Sequence, residues 1–208
     1  MNFQSQYRKA KSITLFASCL ALGVTSIAAA QSTAVDRHGF FANVGIGYGS
    51  EAAVTGGLCS ACPAPMTAAP SGHLAAGWTP ASDVRIGAEV DMWKGDANGY
   101  TTTQFFATVA TSYYPAPTLG LWLKLNAGIG EVQSHRNGSG AVTSVAADVY
   151  YNPYNGSALA LGGGLGYDLP VGSGGFTVIP YANYLVQLSS VNRDPALFQV
   201  GVALGYQR

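Results

Sequence analysis

The chain has 208 residues, of which 48% are apolar and only 10% charged, with 27 Gly and 12 Tyr. Lys+Arg and Asp+Glu both number 10, so the formal net charge is zero; that excludes a basic nucleic-acid face and argues against disorder, which needs low hydropathy and high net charge. Past the N-terminus there is no apolar window of the ~18 residues a transmembrane helix needs, which leaves a secreted all-β protein or a membrane β-barrel.

Residues 1–30 read as a signal peptide. Arg8, Lys9 and Lys11 form a positive start, residues 12–27 an uncharged apolar stretch, and Ala28, Ala29 and Ala30 a small-residue cleavage site before Gln31. A membrane anchor is disfavoured by the short apolar core, and lipidation at Cys19 by the poor fit of Phe16-Ala17-Ser18 before it. Cleavage removes three of the ten basic groups and no acidic one, leaving a net charge of −3. Of the cysteines, Cys59 and Cys62 then remain, spaced C-x-x-C beside Pro63 and Pro65. A thioredoxin-like site needs a βαβ setting and a zinc site two further ligands. In an exported chain the pair is expected as a loop disulfide.

Eight segments with period-two alternation follow, at 39–50, 72–80, 83–94, 101–114, 119–133, 158–169, 175–188 and 196–208. Each is about the length of a tilted strand that crosses a bilayer. In the first, Phe40, Ala42, Val44, Ile46 and Tyr48 oppose Phe41, Asn43, Gly45 and Gly47. In the third, Val84, Ile86, Ala88, Val90 and Met92 oppose Arg85, Gly87, Glu89, Asp91 and Trp93. The fifth sets a row of Leu, Ala and Ile against Gly120, Trp122, Lys124, Asn126, Gly128 and Gly130. One face is apolar and uncharged. The other is too rich in Gly and too poor in charge for a water-exposed surface, but suits a narrow lumen filled by alternating bulky and small side chains, with Trp93, Trp122 and Phe106 as filler. Gly162-Gly163-Gly164 lies within a strand with no helix after it, so it is not a phosphate loop.

The fold class expected is therefore all-β: an eight-stranded antiparallel up-and-down transmembrane β-barrel over 39–208, after a short periplasmic tail at 31–38. Links at 80–83, 115–118 and 170–174 are short, while those at 51–71 and 134–157 are long, as periplasmic turns and external loops are. Segment 141–151 is placed inside the third external loop, because a ninth crossing would break the even strand count. The strand ends on the short-turn side carry Phe40, Trp78, Tyr113, Tyr167, Phe176 and Tyr206 on the apolar face, a periplasmic aromatic girdle. A weaker outer ring holds Tyr48, Met92, Phe105 and Phe198.

On these segments the chain resembles the small eight-stranded outer-membrane barrels of the OmpA/OmpX type. The resemblance covers about 39–208 and implies a bacterial outer-membrane location, outer-membrane lipid as partner and a monomer. That family usually ends its last strand on an aromatic residue; here Gln207 and Arg208 follow Tyr206.

By parity Arg85, Glu89, Asp91 and Lys124 face the lumen, with Asp168 near a periplasmic end. Buried charges must pair, so a salt-bridge network is expected to plug a barrel only just wide enough for its own side chains. The alternative is a narrow pore or small-molecule conduit. Another comes from the resemblance, since some such barrels modify outer-leaflet lipid with His, Ser and a carboxylate. His38 precedes the first strand and His135 lies in the third loop, so His73, read at the outer rim near Ser71, is the one placed to reach lipid. The reading preferred is a structural or surface-interaction barrel, not an enzyme, without cofactor or metal. Its unknown surface partner would meet Asp148, Tyr150, Tyr151 and Tyr154, because Tyr and Asn make adaptable contact surfaces.

Overall fold

The computed structural model describes residues 37–55, 68–97, 100–136, 156–188 and 193–208. Residues 1–36, the pair Cys59 and Cys62, segment 141–151 and the loop residues Asp148, Tyr150, Tyr151 and Tyr154 lie outside the described residues.

Period-two alternation forms strands because successive side chains leave a pleated backbone on opposite faces. The strands are β1 (Gly39–Thr55), β2 (Ala68–Ala81), β3 (Val84–Ala97), β4 (Tyr100–Tyr113), β5 (Leu121–Arg136), β6 (Gly156–Tyr167), β7 (Leu169–Val171), β8 (Phe176–Leu188) and β9 (Arg193–Gln207). Each pairs antiparallel with its neighbour in the order β6-β5-β4-β3-β2-β1-β9-β8-β7, and β6 pairs with β8 to close the ring. The three-residue β7 continues β6 beyond Asp168 and pairs with the same strand, so the nine pieces make eight staves.

The sequence segments match these staves to within a few residues, with two corrections. Leu119, read as the start of the fifth strand, belongs to a 3-10 turn at Pro117–Leu119 that ends on Gly120 at φ 76°. The proline fixes the turn and the left-handed glycine redirects the chain, so the strand begins at Leu121. The sixth segment, read as continuous to 169, breaks at Asp168, whose side chain is drawn into the lumen.

The apolar face points outward. Ile46 and Leu125 are 77% and 75% exposed, and Val44, Val109, Leu123, Ile129, Val202 and Leu204 are exposed beside them. On β5 this face runs from Leu121 to Ile129, then meets Glu131 and Gln133. Eight steps of ~3.3 Å give about 26 Å along the strand, or about 20 Å of height at the ~40° tilt of membrane barrels, most of their ~25 Å apolar band. Phe40, Trp78, Tyr113, Phe176 and Tyr206 are exposed and Tyr167 half-buried, all at the end where Gly39 and Gln207 lie. We call this the terminal end, and the opposite one the loop end.

Inside, large rings stand over glycines. A side chain at Gly130 would place its first carbon 2.8 Å from the Phe106 ring, and at Gly87 2.8 Å from Phe41. Gly166 makes the same allowance for Trp122, and Gly49 and Gly95 for Trp93. This is the bulky-and-small filling of a narrow barrel.

Candidate functional site: the lumen network

The lumen side chains form three levels. At the loop end Trp93, Phe106, Leu185, Leu197, Ala69 and Ala160 make an apolar cluster. Four of its members, Phe106, Ala160, Leu185 and Leu197, have no exposed surface. The Trp93 indole donates to the Gly49 carbonyl at 2.9 Å, which fixes the ring across the bore.

The middle level holds the network expected from parity. All four charged residues are buried there or just below: Arg85, Glu89, Asp91 and Lys124. Lys124 Nζ donates to both Glu89 oxygens at 2.6 Å. Asn126 donates to Glu89 Oε1 at 3.1 Å. His73 and Asp91 are directly opposed in the β2–β3 register, and His73 Nδ1 lies 2.9 Å from Asp91 Oδ1. The imidazole packs on Tyr181 with ring centroids 4.8 Å apart. Asn183 approaches the same Asp91 oxygen at 3.4 Å.

His73 therefore corrects the sequence expectation. It does not stand at the outer rim facing lipid; it points into the lumen and is 8% exposed. The alternation contained that answer, since Leu74 and Trp78 face lipid and His73 has the opposite parity.

At the terminal end the keystone is Asp168, 2% exposed. Its Oδ2 accepts from Arg37 Nε at 3.3 Å, Arg85 Nη2 at 3.2 Å and the Tyr114 hydroxyl at 2.9 Å. Its Oδ1 accepts from the Trp122 indole at 3.0 Å. Arg85 also donates to Gln207 Oε1 at 2.8 Å, and Gln207 Nε2 to Thr79 Oγ1 at 2.9 Å. Arg37 donates to the Pro117 carbonyl and lies 4.5 Å over the Tyr114 ring. Burial, and then the Asp168 charge, push the Tyr114 phenol far above its ordinary value.

Two features here were not expected from the sequence. Arg37, in the segment read as a short periplasmic tail, is 1% exposed and joins the plug. Extending the β1 alternation back from Phe41 through Gly39 places it inward, so the signal was present. Gln207, which departs from the usual aromatic ending, is bound within the plug.

Chemically, the terminal level is a closed ionic plug. The middle level is the one place where metal-ligating groups converge: among the described residues, ligand atoms of His73, Glu89 and Asp91 all lie within 4.8 Å of one another. A cavity of about 30 Å³ between the two levels is bounded by His73, Glu89, Lys124, Arg85 and Asn43, among others.

No protein-family model matches the chain, and no curated protein matches it in sequence. Among solved structures the chain is similar to the Neisserial surface protein A, with TM-score 0.53 and 10% identity over 81% of this chain and 97% of that one. It is equally similar to Ail, the attachment invasion locus protein of Yersinia pestis, at TM-score 0.53 and 10% identity over 81% and 99%. The likeness is one of fold: this chain is a small eight-stranded β-barrel of the outer-membrane type.

Proposed function

We propose that this chain works in the bacterial outer membrane as a monomeric, non-enzymatic scaffold. Its lumen is a structural plug and its external loops meet a surface partner. The observation that carries this reading is the filled bore. Trp93, Phe106, Leu185 and Leu197 close the loop end, while Arg37, Arg85, Asp168 and Tyr114 close the terminal end, all buried. A solute would have to displace both levels, including charges that are costly to strip of their partners.

The strands supply a second support. β1 and β9 stay paired to Thr55 and Arg193, and β4 and β5 to Tyr100 and Arg136. Among the described side chains, the last large apolar residues of the lipid-facing row are Tyr48, Phe198, Phe105 and Ile129. From Tyr48 to Thr55 is seven steps, about 23 Å of strand at ~3.3 Å each. Such a stalk holds loops clear of the headgroups. Residues Asp148, Tyr150, Tyr151 and Tyr154 follow β5 in sequence and are the contact residues proposed.

The test joins two measurements. Vesicles reconstituted with the protein are expected to leak ions no faster than empty ones. Deletion of 138–155 is expected to leave the heat-modifiable barrel intact while abolishing binding to whichever matrix proteins or glycans the whole protein captures from an array. Steady ion flux through the intact barrel overturns the plug. Unchanged capture after the deletion overturns the loop assignment.

A further inference from the structure

We propose that the middle of the lumen is a binding site for a first-row divalent metal ion, with His73, Glu89 and Asp91 as its protein ligands. The reading goes beyond the scaffold role and does not depend on what the loops bind.

The donor set comes first. One imidazole and two carboxylates lie with their ligand atoms within 4.8 Å of one another. An ion such as zinc holds nitrogen and oxygen ligands at about 2.0–2.2 Å, so its donors sit up to about 4.4 Å apart. Small side-chain rotations close the difference. An imidazole beside two carboxylates suits zinc, nickel or manganese better than magnesium or calcium, which take oxygen ligands.

The second observation is an unsatisfied oxygen. Asp91 has no exposed surface. Its Oδ1 faces His73 and Asn183, whereas its Oδ2 has no hydrogen-bond partner. A buried carboxylate oxygen with no donor is expensive. Lys124 cannot serve it, because its ammonium is engaged by both oxygens of Glu89. Lys124 is thus taken by Glu89 and His73 meets Asp91 at Oδ1 alone; a cation beside Oδ2 supplies the partner that this oxygen lacks.

The surroundings are those of a held site. Metal-binding carboxylates and imidazoles need partners that orient them. Here Asn126 holds Glu89, Asn183 approaches Asp91 and Tyr181 stacks on His73. The adjoining cavity of about 30 Å³, bounded by His73 and Glu89, has room for a water as a further ligand. Lys124 competes with the ion for Glu89, so this arrangement tempers affinity rather than maximising it.

The experiment uses the whole protein without a histidine tag, refolded into detergent micelles with zinc or manganese chloride and then passed through metal-free buffer. Elemental analysis gives metal per barrel, and the heat-modifiable band gives the folded fraction. The wild type and the control His135→Ala are expected to retain close to one equivalent. Asp91→Asn, isosteric and compared at equal folded fraction, is expected to bind at least about tenfold more weakly, as is His73→Ala. Lys124→Met is expected to bind more tightly than wild type. A folded wild-type barrel that retains no metal overturns the site, and so does equal retention by Asp91→Asn.

Discussion

The Asp168→Asn substitution tests the terminal plug most directly. Four donors converge on this carboxylate: Arg37, Arg85 and Tyr114 on Oδ2, and Trp122 on Oδ1. Asparagine keeps the shape but has one acceptor oxygen. If that oxygen faces the three donors, the amide meets the Trp122 N–H and leaves it without a partner. The larger effect is charge, since two buried guanidiniums lose the only carboxylate either contacts among the described residues. Breaking a buried ion pair from one side costs about 3–5 kcal/mol. With a urea slope of about 2–3 kcal/mol per M for a chain this size, the unfolding midpoint falls by about 1–2.5 M. The assay is urea unfolding from lipid vesicles, read by the heat-modifiable band and by tryptophan fluorescence. Adding Arg37→Gln to Asp168→Asn removes one surplus charge, so the double variant should be less damaged than the sum of the singles by more than about 1 kcal/mol. An unfolding free energy within about 0.5 kcal/mol of wild type, or strict additivity, refutes the keystone role.

Other expectations follow from the same packing. Glu89→Gln strands the Lys124 ammonium and should cost about 3–5 kcal/mol, whereas Glu89→Gln with Lys124→Met should recover much of it, by the same urea titration. Gly130→Ala brings a methyl group 2.8 Å from the Phe106 ring and should cost about 1–3 kcal/mol by overpacking; Gly72→Ala, with Met92 Cε 3.9 Å away, should change stability by less than about 0.5 kcal/mol. Leu125→Arg puts a charge in the middle of the lipid face and should cost about 2–4 kcal/mol, against no such loss if that face met water. Tyr114 has its folded-state phenol raised, so its contribution is complete below about pH 10 and is lost as pH rises beyond it. Tyr114→Phe should therefore flatten the alkaline fall in stability while lowering stability at neutral pH.

The strands were legible because a membrane barrel writes one rule along every stave. Lipid demands an uncharged apolar row, a narrow bore demands small residues beside large ones, and the pleat alternates the two. Phe41, Trp93, Phe106 and Trp122 are buried where parity placed them, and the girdle residues line one end. What parity cannot supply is stagger. Lys124 on β5 meets Glu89 on β3 across the whole of β4, over Thr108 and Ser112. Strand tilt decides which of several inward charges meet, and tilt is a property of the closed ring. Hence the four network residues were readable but their pairing was not: Arg85 joins Asp168, while Asp91 joins His73.

Apart from His73, what sequence reasoning missed lies at the terminal end: the burial of Arg37, the turn at Leu119 and the strand break at Asp168, all where strands stop or break. Alternation says least there, because a turn resets which face a side chain takes. The plug is built from those resets. Gly120 at φ 76° lets its backbone run against Asp168, whose N–H donates to the Gly120 carbonyl at 3.0 Å. A side chain at Gly120 would place its first carbon 2.6 Å from the Asp168 carbonyl. The two turns are thereby locked together, Asp168 is aimed inward, and Arg37, just before β1, and Arg85 on β3 reach it. A structure that joins the start of the first stave, the end of the last and the break in the sixth can form only once the ring has closed. The plug therefore stabilises the closed barrel without favouring any single hairpin, and weakening it should speed unfolding more than it slows insertion.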